Sequence, residues 1–293
     1  MSQAQRSRMR SWLSGALVVG ACAAVLYAEQ RRPLRRETES KLRRDVRNLT
    51  VATLSAATLQ VLEKPAVEPL SRLVERRRWG LVPQLGLPPP LETTASILLM
   101  DYTLYLWHVW THKSPFLWRF HLVHHVDLDC SATTAVRFHF GEMALSVPYR
   151  AAQVLLIGTS PRALALWQKL VFASIVFHHS NLRLPKRLEN SLVGIIVTPH
   201  MHGIHHSAVE EEVNSNWSSG LTLWDRLHGT LRLDVSEEDL TEGVQGYQEP
   251  TSVTLGRLVV LPFRDQRAAK AERQSLARHT EEHPPQRLAR EAL

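Results

Sequence analysis

The sequence predicts an all-α protein: a multi-spanning integral membrane helical bundle with a histidine-rich metal site at one membrane face. Three observations predict it. Apolar runs of near-spanning length alternate with charged or turn-forming segments. Twelve of the 15 histidines lie between His108 and His206. Eight of those twelve fall into three clusters at helical i, i+3 or i+4 spacing. The 293 residues are 44% hydrophobic and 22% charged, a balance that supports a folded core and argues against general disorder.

The first element is the uncharged run Trp12 to Ala28, flanked by Arg6, Arg8 and Arg10 before it and by Arg31, Arg32, Arg35 and Arg36 after it. Seventeen residues is the lower limit for crossing a bilayer core. Ala21 and Ala23 also fit a signal-peptide cleavage site, but the long basic stretch behind them suits an uncleaved anchor with cytoplasmic retention. Residues 1–50 carry 11 Lys/Arg against 4 Asp/Glu, and the remainder balances at 24 against 24. The net charge of +7 therefore belongs to one flank, which excludes a basic body that coats nucleic acid. Two cysteines, Cys22 and Cys130, are too few for a disulfide framework and form no CxxC pair.

Next comes Leu49 to Leu62, only 14 residues long and followed by Arg72, Glu75 and Arg76 to Arg78. It reads either as a short tilted span or as an interfacial amphipathic helix. Pro83 to Pro90 breaks the chain, and Leu91 to Trp110 is a stronger span whose interior acid is Asp101. Met143 to Thr159 and Ala163 to Phe177 form a helical hairpin around Gly158, Ser160 and Pro161. It leaves from Glu142 and returns to His178 and His179, so both ends face the same histidine layer. After Leu233 the chain turns acidic and then mixed in charge, with an apolar patch at Leu255 to Phe263. The last ~25 residues are expected to be mobile by composition. These shifts divide the chain into an anchor with its basic flank (1–47), a catalytic region (48–233) and a polar tail (234–293).

His108 and His112 are one helical turn apart on one face and can grip one ion. His121, His124 and His125 repeat the geometry, as do His202, His205 and His206. Imidazoles beside hydrocarbon are costly without partners, and a metal supplies partners to many at once. Eight exceed what one zinc site needs, so a two-metal site is the economical count. All-nitrogen ligands suit iron, zinc, copper or nickel, and the absence of H-E-x-x-H lowers the case for a metalloprotease.

The run DYTLYLWHVWTHKSPFLWRFHLVHHVDLDCSATTAVRFHFGE (101–142) resembles the fatty acid hydroxylase and sterol desaturase superfamily, including its bacterial sterol desaturase members. FHHSNLRLP (177–185), TPHMHGIHHS (198–207) and SNWSSGLTLWDRLHGT (215–230) resemble it too. The resemblance covers roughly residues 45–233. It implies a membrane oxidoreductase with a non-haem di-iron centre of two iron ions, using O2 as co-substrate to hydroxylate or desaturate a fatty acyl or sterol-like lipid from the bilayer. It makes His108, His112, His121, His124, His125, His202, His205 and His206 ligands, adds His139 and His179 as further ligands, and places Glu142 at the site as the catalytic carboxylate. For His178 and His200 a ligand role and a core or surface role stay equally open. Val109 and Phe140 depart from the family pattern without removing a ligand. Asp127 reads as a loop residue, and His228, His279 and His283 as surface residues.

No dinucleotide, ferredoxin or haem-attachment motif is present, so electrons are expected from an external donor: a reductase, ferredoxin or cytochrome. The expected location is a bacterial inner membrane with the site facing the cytoplasm. The rival readings are a histidine-rich metal transporter or storage protein, and a zinc-dependent membrane hydrolase.

Overall fold

The computed structural model describes residues 3–264; the expected mobile tail and the surface assignments of His279 and His283 lie outside the described residues. The described part is helical without a strand, apart from three isolated bridge pairs. Helix α1 (Gln3–Arg31) contains the one described stretch long and apolar enough to cross a membrane unaided, Trp12–Arg31, and almost none of it is buried in the protein. Its last turns nevertheless pack Cys22, Val25 and Leu26 against Ile175 and Val176. Buried Glu29 accepts the backbone N–H groups of Ala132 (3.0 Å) and Asn181 (3.1 Å).

Helix α2 (Lys41–Thr58) runs through one π-helical turn (Leu59–Glu63) into α3 (Lys64–Arg77). Pro65 has no N–H to give to the carbonyl four residues back, and the ladder shifts register just before it. On α3, Val67, Ser71 and Val74 are buried while Lys64, Glu68, Arg72 and Glu75 are exposed. That outward charged face lies on α3, beyond the Leu49 to Leu62 segment, and is ill suited to hydrocarbon. A short α4 (Leu81–Gln84) closes the far end, where Gly80 and Gly158 touch backbone to backbone.

Helix α5 (Pro89–Lys113) follows the proline break and turns sharply into α6 (Pro115–His125), whose start is capped by Ser114. Helices α7 (Phe140–Ile157) and α8 (Pro161–His179) are the predicted hairpin, joined through Gly158 at φ 85°. Its arms do not close on each other: α8 packs on α5, and α7 packs on α2 and α3. The separation leaves room for a cavity. None of α5, α7 and α8 is apolar enough along its length to count alone as a span, yet Leu98, Leu106, Leu155, Leu156, Leu170 and Phe172 are exposed on them.

Beyond α9 (Lys186–Leu192), the seven-residue α10 (Pro199–His205) carries the last histidine cluster, capped by Thr198. It is followed by α11 (Glu210–Val213), α12 (Leu223–His228) and α13 (Leu255–Val260). The C-terminal apolar patch thus folds back, burying Leu258 and Leu261 against Leu122, Val123 and Val126 of the α6 region.

Candidate metal centre

Four helices bring the histidines together: α5 and α6 from one side, the ends of α8 and α10 from the other. Two groups result. His108, His112, His121, His125 and His205 form one, and His124, His179, His202 and His206 the other, with ligand atoms inside each group within 4.8 Å of one another. The split follows helix geometry. Residues four apart stay on one face, so His121 pairs with His125 and His202 with His206. The remaining histidine of each cluster, turned ~100° per residue, enters the opposite group. The pairs therefore behave as the spacing predicts, whereas the three-histidine clusters each serve two sites.

The orientation of the rings tests whether a metal fits. His108 Nδ1 lies 2.7 Å from the Trp217 carbonyl, His205 Nδ1 2.7 Å from the Ser215 carbonyl, and His179 Nδ1 2.7 Å from the Ile175 carbonyl. A carbonyl only accepts, so each Nδ1 carries the proton and each Nε2 presents a lone pair. Yet His108 Nε2 is 3.1 Å from His205 Nε2, and His179 Nε2 is 3.0 Å from both His124 Nε2 and His202 Nε2. His108 and His205 thus point lone pair at lone pair, which is unfavourable unless a cation stands between them. Two nitrogens bound at about 2.0–2.1 Å to one ion sit roughly 2.9–3.4 Å apart, the spacing seen here.

Burial makes the same point. Eight nitrogens of the grouped rings are buried and without a partner: His112 Nε2, His121 Nε2, His124 Nδ1, His202 Nδ1 and both nitrogens of His125 and His206. At about 1–3 kcal/mol each, they would cost on the order of 10–20 kcal/mol, comparable with the whole stability of a domain. Burial also holds His124, His125, His202 and His206 well below the usual imidazole range. It pushes His205 down to about 3 against the upward pull of the Ser215 carbonyl. Neutral rings with free lone pairs are the form that binds metal.

Glu142 belongs to neither group. Its Oε1 accepts from His121 Nδ1 at 2.9 Å, with both side chains buried, and fixes that ring with Nε2 toward the first group. His139 is not brought to either group. Its ring caps α7, with Nδ1 accepting from Gly141 N–H at 3.0 Å and Nε2 3.1 Å from the Val259 carbonyl, so the expected ligand is a helix cap. His178 is buried with its ring 4.1 Å from that of His202, outside both groups. His200 sits half-buried 2.9 Å from the Val235 carbonyl, and His228 is exposed beside Tyr102.

Much of the support comes from residues outside the histidine clusters. Asp225 accepts the N–H groups of Trp217 and Ser218, each at 2.9 Å, and so aims the Trp217 carbonyl that holds His108. Asn216, at φ 52°, ties the Met201 and Arg232 carbonyls together. Asp127 is fully buried and pairs with Arg137 at 2.7 Å, a structural hub inside its loop. Arg35, from the basic flank, bonds Glu237 at 2.9 Å, Glu242 at 2.6 Å and the Pro199 carbonyl at 3.1 Å, clamping the start of α10.

A cavity of about 650 Å³ opens from this layer. His108, His121, His124, His179, His202 and Glu142 line one end, and α2, α5, α7 and α8 supply mainly apolar walls including Leu49, Leu104, Trp107, Val171 and Phe172.

Comparison with known proteins agrees with these features. Residues 93–230 match the fatty acid hydroxylase family. An ornithine lipid hydroxylase of Rhizobium tropici is 29% identical over 160 residues, 54% of this chain and 47% of that protein. A cholesterol 25-hydroxylase-like protein of Danio rerio is 32% identical over 149 residues, 49% and 56% of the two chains. An alkylglycerol monooxygenase of Xenopus tropicalis is 28% identical over 157 residues, 52% and 34%. The chain thus spans about half the length, or less, of these relatives. No solved structure matches it. The matched segment, from the start of α5 through α12, carries all nine grouped histidines and is similar to the fatty acid hydroxylase family.

Proposed function

We propose that the protein is a membrane-bound non-haem di-iron oxidoreductase that hydroxylates a lipid, with O2 as co-substrate and electrons from a separate carrier. The observation that carries this reading is the pair of convergent imidazole groups at the end of an apolar cavity. His108, His112, His121, His125 and His205 would hold one ion, and His124, His179, His202 and His206 the second. Iron there supplies the oxygen chemistry that an unactivated C–H bond requires and that side chains lack.

The chain's own residues do the positioning. The carbonyls of Trp217, Ser215 and Ile175, with Glu142, fix ring tautomers. The apolar walls align a lipid chain toward the histidines and exclude water from them. The relatives are named as hydroxylases and monooxygenases, which favours hydroxylation over desaturation. The exposed leucines of α7 and α8 support embedding that face in a bacterial inner membrane beside α1, with several helices entering the bilayer and the metal layer on the cytoplasmic side.

The test is anaerobic purification in detergent with metal quantitation and Mössbauer spectroscopy, followed by O2-dependent turnover of extracted lipid. A coupled two-iron signal with a hydroxylated product is expected. Zinc with O2-independent turnover, or ion movement across vesicles without a lipid product, defeats the proposal.

A further inference from the structure

Two charged side chains, Arg150 and Glu63, line the same cavity, and nothing above accounts for them. Arg150 stands eight residues beyond Glu142 on α7, about 12 Å along the helix axis. Its guanidinium stacks 4.3 Å from the Trp167 ring and donates to Gln153 Oε1 at 2.6 Å, a neutral partner. Among the described residues it makes no ion pair, and the Trp167 indole N–H beside it has no acceptor. Glu63, in the π-helical turn, also lines the cavity, and among the described residues the two form no ion pair. Arg150 has only neutral partners and Glu63 no ion pair among the described residues, and a ligand carrying both opposite charges matches the two together on the wall of this cavity. A purely anionic ligand would suit Arg150 and be repelled by Glu63.

We propose that Arg150 and Glu63 select a zwitterionic lipid, the acidic group of its head on Arg150 and its ammonium on Glu63, leaving the apolar chain directed along the cavity toward the histidines. This rests on the lipid-hydroxylase reading for its meaning but not for its test.

The full-length protein in mild detergent is mixed with equimolar dioleoyl phosphatidylethanolamine, phosphatidylglycerol and diacylglycerol, and retained lipid is measured by native mass spectrometry. Neither O2 nor turnover is needed. Wild type should enrich the ethanolamine lipid about tenfold, the scale of one desolvated charged contact. Arg150→Gln should lose the enrichment, and Glu63→Gln should gain phosphatidylglycerol. The double reversal Glu63→Arg with Arg150→Glu should recover selectivity for the zwitterion, each charge again meeting its opposite. Unchanged metal content and thermal midpoint certify the fold of each variant. Excess glycerophosphoethanolamine, the same head without chains, should not displace the lipid; displacement would make the ligand a soluble zwitterion and overturn the lipid assignment. Head-independent retention by wild type, or identical selectivity in both single variants, overturns the proposal even where hydroxylation is found. Head-selective retention by a protein without oxygenase activity sinks the hydroxylase reading alone.

Discussion

Glu142→Ala should weaken one of the two metal sites and spare the other. The carboxylate contacts one ring, His121, at 2.9 Å, and both side chains are only 3% exposed, so water does not readily replace it. His121 is one of five histidines in the first group and absent from the second. Removing such an outer partner costs about 10–100-fold in metal affinity, or roughly 1.4–2.8 kcal/mol. The upper end applies to alanine, which leaves the Nδ1–H buried without an acceptor. Glu142→Gln keeps an acceptor oxygen and loses the charge, so about tenfold is expected. Chelator competition on protein loaded with two ions should become clearly biphasic, with one phase shifted and the other at its wild-type position. If both phases shift equally, or neither does, the assignment of Glu142 to His121 and of His121 to one site is refuted. Thermal unfolding of the metal-free variants separates this from a general loss of fold.

His124→Ala should abolish turnover and lower bound metal by about one equivalent per chain; full activity would sink its ligand role. His139→Ala, by contrast, should keep both metals and lose only a helix cap, about 0.5–2 kcal/mol of stability read from a denaturant midpoint. The metal-free protein should lose stability as pH falls. His205 titrates near 6.5 when unfolded and near 3 when folded, so between those values the unfolded chain holds more protons. The loss therefore begins below about pH 6.5 and levels off near pH 3, and a urea midpoint that stays flat from pH 7 to 5 would contradict the burial of that ring. Gly158→Ala should destabilise the hairpin by at least about 1–3 kcal/mol, because φ is 85° and the new Cβ would lie 2.3 Å from Pro83 Cδ; an unchanged midpoint argues against that turn.

Helical spacing carried most of the site in the sequence, because i, i+4 neighbours on a helix must share a face. His108 with His112, His121 with His125, and His202 with His206 all keep company in the fold as that rule requires. What spacing could not show is how faces on different helices are opposed. The separation of His124 from His125, and of His205 from His206, into different groups depends on α6 and α10 each lying between two sites. His139 misled for a related reason: a histidine two residues before a glycine at a helix start is equally a cap, and only the position of the ring decides. The backbone carbonyls of Trp217, Ser215 and Ile175 leave no side-chain signature, since any residue type offers the same acceptor.

The basic flank gained a second role by the same logic. Counting charges gives it an orienting function toward the membrane. Arg35 is instead drawn inward, where Glu237 and Glu242 offset the cost of burying it and its third contact fixes the Pro199 carbonyl at the start of α10. A Cβ on Gly203 would meet its Nη2 at 1.9 Å, so the glycine inside the last histidine cluster is the space this clamp needs. The order of α10, and hence of His202, His205 and His206, thus depends on a residue more than 160 positions away that composition assigned to the membrane surface.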